Sequence, residues 1–410
     1  CDGFLQFSFK CYTVFRLIIQ NHSAMTIIKS TKDLKDFCKK LELAPFITVD
    51  TEFLRDKTYY SKLCLIQVSG PDKNAVAIDV IEAPNIDLSP LLELFRNKKI
   101  LKVFHAGRQD LEIFWQQFQT LPDPIFDTQI AAMVCGYGDQ IGFDNLMRKI
   151  TGKTIDKSQQ FTDWSRRPLS KKQLSYALDD VILLVDIFEA LDKQLISRDR
   201  EDWVLEETSA LLDKNLYENK PEEAWERIKV KSPRPKQLAI LRELAAWREA
   251  KAQEQDIPRT RIIRDETLVD ISFHPPSKSE DLGRIRGFPK GCEDKPLGAA
   301  LMNAANKGQD ADKSTYPKVI KKAPLPAQYQ AAFQMLKMLL KIKAAENDVA
   351  ARLIASKEDL EVIAEYGAKG KTPALKGWRN RIFGEDAVKM MSGNICLRLE
   401  NNEVCLTKID

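Results

Sequence analysis

The chain has 410 residues, of which 44% are hydrophobic and 30% are charged, and its formal net charge is +4. A chain of this length is expected to form two or three domains, each with its own core. The small net charge excludes a strongly basic or acidic polyelectrolyte, so the position of the charges is more informative than their sum.

Cysteine and histidine usage argues against a zinc protein. The eight cysteines form no C-x-x-C pair, and the chain has only three histidines. Apolar segments surround several of the cysteines, which predicts buried free thiols and a reducing compartment, the cytoplasm. Because no stretch of about 18 uninterrupted apolar residues occurs, we expect no membrane-spanning helix.

Residues 1–24 are apolar and aromatic, and they precede Met25, the first methionine. A signal or transit segment is one interpretation, but no small-residue cleavage site is present. We therefore expect an extension that lies outside the folded domain.

The first half of the chain alternates predicted strands and helices. Strands are predicted over 25–29, 46–53, 62–69, 75–79, 100–105 and 125–126. Helices are predicted over 30–43, 89–97, 109–118, 128–135, 143–150 and 171–195. Three early strands followed by alternating helices and strands indicate a mixed α/β sheet with helices on both faces, in a domain of residues 25–225.

Helical patterns dominate beyond residue 203. Two units of similar size, 230–308 and 322–400, each begin with a proline-flanked turn and an apolar helix, which predicts two small all-α domains. Residues 227–242, 313–343 and 369–381 carry six, seven and five Lys or Arg and no acid. Such runs are commonly solvated helix faces, but three in one half favour a nucleic-acid-binding surface.

Two carboxylates are predicted to share one face of the second strand. Asp50 and Glu52 are two positions apart, so their side chains point the same way and repel each other. A divalent cation is the simplest compensation for this repulsion. A structural acid cluster is the alternative.

Two later segments offer further candidates. Asp110 falls in the first turn of a predicted helix, where the helix dipole alone would favour an acid. Tyr176 and Asp180 are four positions apart on a long helix and therefore project together, either as a plain hydrogen-bonded pair or as part of a site. Asp179 is predicted to be solvated.

Together these motifs (D-x-E, an acid after H-A-G-x-x, and Y-x-x-x-D) occur in the order of a known family. The chain resembles the ribonuclease D family of DEDD exonucleases, in the subgroup with tyrosine in the third motif. Further matching segments are 50–60, 65–67, 104–107, 126–129, 156–158 and 162–164. The resemblance covers residues 25–195 and implies a ribonuclease H-like exonuclease fold. The two C-terminal units are similar, less closely, to the helical domains that this family shares with RecQ-type helicases. Residues 1–24 have no counterpart, and residues 394–399 are more strand-like than such a domain predicts.

The resemblance implies a site and an activity. Asp50, Glu52, Asp110 and Asp180 would hold two divalent cations, Mg²⁺ or Mn²⁺, and Tyr176 would orient the attacking water or help to deprotonate it. The expected reaction is 3′–5′ hydrolysis of RNA to nucleoside 5′-monophosphates, in the trimming of tRNA precursors, without an obligate protein partner.

Substrate contacts and the class of substrate are less constrained. Phe53 either stacks on the terminal base or belongs to the core, and His105 either contacts substrate or is a hydrogen-bonded strand-end histidine. Lys157, Trp164 and Arg167 are candidate phosphate contacts. Two alternative functions remain. A DNA exonuclease of the same fold is one, because the carboxylates act on the phosphodiester alone and contacts to the 2′-hydroxyl distinguish RNA from DNA. A non-catalytic nucleic-acid-binding scaffold is the other.

Overall fold

The computed structural model describes residues 26–318 and 324–409, so the predicted extension at residues 1–24 lies outside the described residues. The strands in these ranges are β1 (Thr26–Ile28), β2 (Phe46–Leu54), β3 (Lys62–Ser69), β4 (Ala75–Ile78), β5 (Leu101–Phe104), β6 (Ile125–Asp127), β7 (Ile395–Glu400) and β8 (Glu403–Lys408). The helices of the first half are α1 (Thr31–Leu41), α2 (Ser89–Arg96), α3 (Arg108–Phe118), α4 (Thr128–Val134), α5 (Phe143–Thr151), α6 (Lys171–Ser197) and α7 (Glu201–Ser209). Those of the second half are α8 (Pro235–Gln255), α9 (Arg259–Ile262), α10 (Asp265–Phe273), α11 (Ser279–Leu282), α12 (Pro296–Gln309), α13 (Gln330–Asn347), α14 (Ala351–Ile354), α15 (Lys357–Tyr366), α16 (Gly377–Arg379) and α17 (Glu385–Met391).

The first six strands form one mixed sheet in the order β1-β4-β3-β2-β5-β6. Short connections make β2, β3 and β4 antiparallel neighbours, whereas helical crossovers make β2, β5 and β6 parallel. The predicted mixed sheet flanked by helices is confirmed, and β2 lies inside it, paired with β3 on one side and β5 on the other.

The two faces of β2 meet different helices. Ile47 and Val49 belong to a core that also contains residues of α1, α2 and α3. Phe46 packs on Phe188 of α6, with ring centroids 4.5 Å apart. Because successive side chains alternate, Asp50 and Glu52 share the face of β2 that lies under α6.

The two C-terminal units repeat one arrangement. In the first, α8 is followed by Asp256, a C-cap in a left-handed conformation (φ 48°), and then by the four-residue helix α9. In the second, α13 is followed by the C-cap Asp348 (φ 51°) and then by the four-residue helix α14. The similarity that the sequence suggests only faintly is therefore visible in the order and the lengths of the helices.

The first helical unit docks on the loop that follows β2. The Asp256 carboxylate accepts hydrogen bonds from the backbone N–H groups of Tyr59 (3.0 Å) and Tyr60 (2.9 Å). The Tyr59 hydroxyl donates to Glu249, which is 1% exposed and also pairs with Arg259. This buried network connects α8 to a segment only a few residues from Glu52.

The second helical unit shares a continuous hydrophobic core with the first domain, which contains the mixed sheet. Trp203 of α7 stacks on Trp378 with ring centroids 4.5 Å apart and planes 10° from parallel. Asp348 pairs with Arg198 at 3.0 Å, and the Ala350 N–H donates to the Met133 carbonyl. Both units therefore use the acid after their long helix to contact the first domain.

The all-α description of the second unit is incomplete. β7 and β8 form an antiparallel hairpin around Asn401 and Asn402, which both have positive φ. Asparagine tolerates this conformation, and two such residues fit the type I′ turn that matches the twist of a hairpin. The predicted boundary at residue 400 thus coincides with the end of β7. Among the described helices, none has the length and apolar character needed to cross a bilayer.

Candidate active site

Three carboxylates from two elements meet at one place. Asp50 and Glu52 of β2 and Asp180 of α6 each offer an oxygen within 4.8 Å of the others. The buried Thr48 hydroxyl links the strand to the helix by donating a 2.8 Å hydrogen bond to the Val181 carbonyl. Asp179, next to Asp180, is exposed, as its position around the helix predicts.

Asp110 lies beside this trio but is held by a different contact. It is buried in the first turn of α3, and its carboxylate accepts a hydrogen bond from the Thr51 hydroxyl on β2. It is close enough that its charge helps to raise the pKa of Glu52. The described cluster of three does not include it, since its side chain is turned toward Thr51.

A tight turn between β5 and α3 positions Asp110. Ala106 has a positive φ of 54°, and a Cβ on Gly107 would lie 2.6 Å from Phe104 Cβ, so this position needs glycine. The Asp127 carboxylate accepts hydrogen bonds from the N–H groups of Ala106 (3.0 Å) and Gly107 (2.9 Å) while also capping α4. The glycine of the H-A-G sequence is thus explained by backbone geometry.

Tyr176 lies one turn before Asp180 on α6. Its hydroxyl lies close enough to the Asp180 carboxylate to lower the pKa of that acid, and its ring lies 6.1 Å from that of Trp164. Burial raises the pKa of Tyr176, and the surrounding carboxylates raise it further. The phenol is therefore protonated at neutral pH and acts as a hydrogen-bond donor.

The acids are electrostatically unfavourable without a cation. Burial raises the pKa of Asp50 to about 6. Burial followed by the charge of Asp50 raises the pKa of Asp180 to about 8. The same causes, with Asp180 and Asp110, raise the pKa of Glu52 to about 10. Oxygen ligands that repel one another at this distance fit a hard divalent cation such as Mg²⁺ or Mn²⁺.

Three of the predicted substrate contacts are partly or fully exposed. Phe53 is half-buried against the core under α1 to α3. His105 is half-buried too: its Nδ1 lies 2.9 Å from the Thr128 hydroxyl, and its ring packs edge-on against Phe143. Lys157 is exposed and pairs with Asp144 at 2.6 Å.

Trp164 and Arg167 do not fit the prediction that they contact phosphate. Trp164 is 2% exposed within a hydrophobic core. Arg167 forms a bidentate pair with the buried Asp79 (2.7 and 2.6 Å), and its other N–H groups donate to the carbonyls of Trp164, Arg166 and Cys64. Since all five donors are used inside the protein, Arg167 is a structural residue, and Trp164 is a core residue.

Sequence reasoning missed three residues that position the site: Thr48, Thr51 and Asp127. The two threonines lie within the strand that carries the D-x-E motif. β-branched residues are common in strands, so the sequence does not distinguish these threonines from ordinary strand residues. Asp127 lies in a segment that matches the family, Phe126-Asp-Thr-Gln129, which was the available signal.

Family models and known proteins match most of the chain. A 3′–5′ exonuclease family model matches residues 25–196, and an HRDC domain model matches residues 237–292, inside the first helical unit. Ribonuclease D of Nitrobacter hamburgensis is 45% identical over 380 residues, which cover 93% of this chain and 98% of the relative. Ribonuclease D of Bartonella henselae is 43% identical over 93% of each chain.

A solved structure extends the similarity to three dimensions. The crystal structure of Escherichia coli RNase D, an exoribonuclease involved in structured RNA processing, is similar with a TM-score of 0.78 and 30% identity, over 90% of this chain and 98% of that one. With relatives this similar over nearly their whole length, the chain belongs to the ribonuclease D family of 3′–5′ exoribonucleases.

Proposed function

We propose that this exoribonuclease depends on two divalent cations, Mg²⁺ or Mn²⁺, releases nucleoside 5′-monophosphates and trims the 3′ ends of tRNA precursors in the cytoplasm. The observation that carries the metal dependence is the meeting of Asp50, Glu52 and Asp180 oxygens within 4.8 Å. Three half-buried acids at this spacing destabilise the fold unless a cation or protons compensate them.

Asp50, Glu52 and Asp180 would hold the cations, and Asp110 would join them by turning its carboxylate from Thr51 toward the trio. The cations would supply a nucleophile at neutral pH and neutralise charge on the phosphate and the leaving oxygen. In the net reaction, the water oxygen bonds to the terminal phosphorus, the bond from phosphorus to O3′ breaks, and O3′ receives a proton.

Tyr176 has a positioning part in this scheme. Its protonated hydroxyl can hold a water or a phosphate oxygen beside Asp180, and Trp164 buttresses its ring. In the metal-free site the raised pKa keeps the proton on the phenol, so Tyr176 is placed to orient a reacting group by donating a hydrogen bond.

The helical units are proposed to hold the body of the RNA. The first contains the HRDC domain match and presents exposed cations, among them Arg284, Arg286 and Lys290, around the turn at Gly287. Contacts of this kind neutralise phosphates without reading sequence, so we expect binding that weakens with salt.

The test is a time course with matched RNA and DNA oligonucleotides that carry a free 3′ hydroxyl, with Mg²⁺, with Mn²⁺ and with EDTA. We expect stepwise shortening of RNA from its 3′ end only with a divalent cation, and slower digestion of DNA. Equal rates on both would favour a nuclease without sugar preference. Activity in EDTA would overturn the metal dependence. A tRNA precursor with a 3′ trailer, compared with mature tRNA, tests the proposed substrate.

A further inference from the structure

An aromatic ring projects into solvent next to the third motif. Phe161 is 93% exposed and lies between α5 and α6. Two consecutive turns hold it there, closed by hydrogen bonds from Gln160 N–H to the Lys157 carbonyl and from Thr162 N–H to the Gln159 carbonyl, both 3.1 Å. An ordered turn thus holds the ring in solvent, outside the hydrophobic cores.

The turn is tied to the helix that carries Tyr176 and Asp180. The Thr162 hydroxyl accepts a 3.1 Å hydrogen bond from Gln173, which lies one turn before Tyr176 on α6. Three residues after Phe161, the buried Trp164 packs on Tyr176. Three residues of chain span at most about 11 Å between Cα atoms, and the rings of Trp164 and Tyr176 are 6.1 Å apart, so Phe161 belongs to the segment that borders Tyr176.

The surroundings of the ring suit a polyanion. Lys153, Lys157 and Arg166 on the same segment are exposed, and so are Lys171 and Lys172 at the start of α6. The exposed Asp156 and Asp163 offset part of this positive charge. Cations around an exposed aromatic ring are the combination by which single-stranded nucleic acid is bound, with phosphates on the charges and bases on the ring.

We propose that Phe161 is a stacking platform for an unpaired nucleobase of the RNA, close to the 3′ end that is being cleaved. The inference rests on the proposed function, since it takes RNA as the ligand of this site. A stacked base would hold the strand upstream of the scissile phosphate. The platform would favour single-stranded 3′ ends, because a base in a duplex stays stacked on its neighbours.

The first experiment compares Phe161→Ala, Phe161→Leu and Phe161→Trp in the full-length protein, with single-stranded RNA and Mg²⁺. We expect Phe161→Ala and Phe161→Leu to raise KM about 5- to 150-fold, the range for loss of one stacked base, with kcat within about twofold of the parent. Phe161→Trp should keep the parental KM. Leu43→Ala is the matched control, since Leu43 is 97% exposed but follows α1 on the opposite face of the sheet.

A double-mutant cycle locates the base. An abasic nucleotide is placed in turn at each of the last five positions of the RNA. At one position it should raise KM for the parent but not for Phe161→Ala, because the platform is already absent. If no position couples to Phe161, or if Phe161→Leu keeps the parental KM, the stacking proposal is wrong.

Other roles of the exposed ring predict different results. If Phe161→Ala leaves KM unchanged but changes the sedimentation coefficient, the ring is a contact between two copies of the chain, and the proposal fails. If the parent itself degrades no RNA, the proposed function fails first. A parent that degrades RNA with a KM equal to that of Phe161→Ala refutes the platform alone.

Discussion

The Thr48 hydroxyl on β2 donates a 2.8 Å hydrogen bond to the Val181 carbonyl on α6, across 133 positions of the chain. Asp50 follows Thr48 on the same face of the strand, and Asp180 precedes Val181 on the helix. This contact therefore joins the two halves of the acidic cluster and helps to set the distance between them.

Replacing Thr48 tests whether the contact sets the catalytic geometry. We expect Thr48→Val to lose about 1 kcal/mol of unfolding free energy, because a buried donor is removed, and to lower kcat more than it raises KM. Thr48→Ser loses a buried methyl group at a similar cost in stability but keeps the hydroxyl, so its kcat should stay near the parental value. Urea denaturation and steady-state kinetics give both quantities; equal kcat values for the two variants would contradict the account.

The acidic cluster predicts a pH dependence for metal-free stability. Burial holds the pKa of Asp50 at about 6 and that of Asp180 at about 8, above those of the unfolded chain. The folded protein then keeps protons that the unfolded chain releases, so this stability is present below about pH 4 and is lost as the pH rises through 6 and 8. Mg²⁺ competes with these protons and should raise the melting temperature more at pH 8.5 than at pH 5.5. Scanning calorimetry measures this, and a Mg²⁺ effect that does not change with pH would disagree.

Tyr176→Phe should reduce kcat by about 10- to 1000-fold and leave metal affinity unchanged, because the phenol orients the reacting groups while the carboxylates remain. Asp50→Ala should reduce activity far more, since it removes a cation ligand. Single-turnover assays at saturating Mg²⁺ compare the two. An equal loss of activity in both variants would mean that Tyr176 does more than orient the reacting groups.

Tyr59→Phe tests how the first helical unit docks. The Tyr59 hydroxyl contacts the buried Glu249, so its removal should cost about 1 kcal/mol and increase hydrogen exchange in 55–60 and in α8. Tyr60→Phe is the control, since only the Tyr60 backbone contacts Asp256. Parental exchange rates in the Tyr59→Phe protein would show that the hydroxyl does not hold the unit in place.

Arg167→Ala and Lys157→Ala separate a structural cation from an exposed one. Removing Arg167 leaves the 1% exposed Asp79 without its partner and should cost about 3–5 kcal/mol of stability. Because Arg167 contacts no phosphate, the salt dependence of RNA binding should not change. Lys157→Ala should leave stability nearly unchanged and reduce the slope of log Kd against log salt by about one if Lys157 meets a phosphate. A reduced slope for Arg167→Ala would instead support the sequence-based prediction that Arg167 contacts phosphate.

Local spacing in the sequence was enough to predict much of the site. The period of two along β2 gives the shared face of Asp50 and Glu52, and the spacing of four on α6 gives the Tyr176 and Asp180 pair. The bonds from Thr51 to Asp110 and from Arg167 to Asp79 join residues far apart in the chain, and no local period encodes them. The final hairpin was predictable in part, since Asn401-Asn402 separates two strand-like segments.

Cation binding tests the central claim most directly, namely that the cluster on β2 and α6 holds the catalytic metals. Mn²⁺ titration followed by electron paramagnetic resonance counts bound ions without any substrate. We predict two Mn²⁺ per chain for the parent and for Asp179→Asn, whose carboxylate is exposed beside the cluster, and weaker, substoichiometric binding for Asp50→Asn. If Asp50→Asn binds Mn²⁺ as tightly and in the same number as the parent, the cluster is not the metal site.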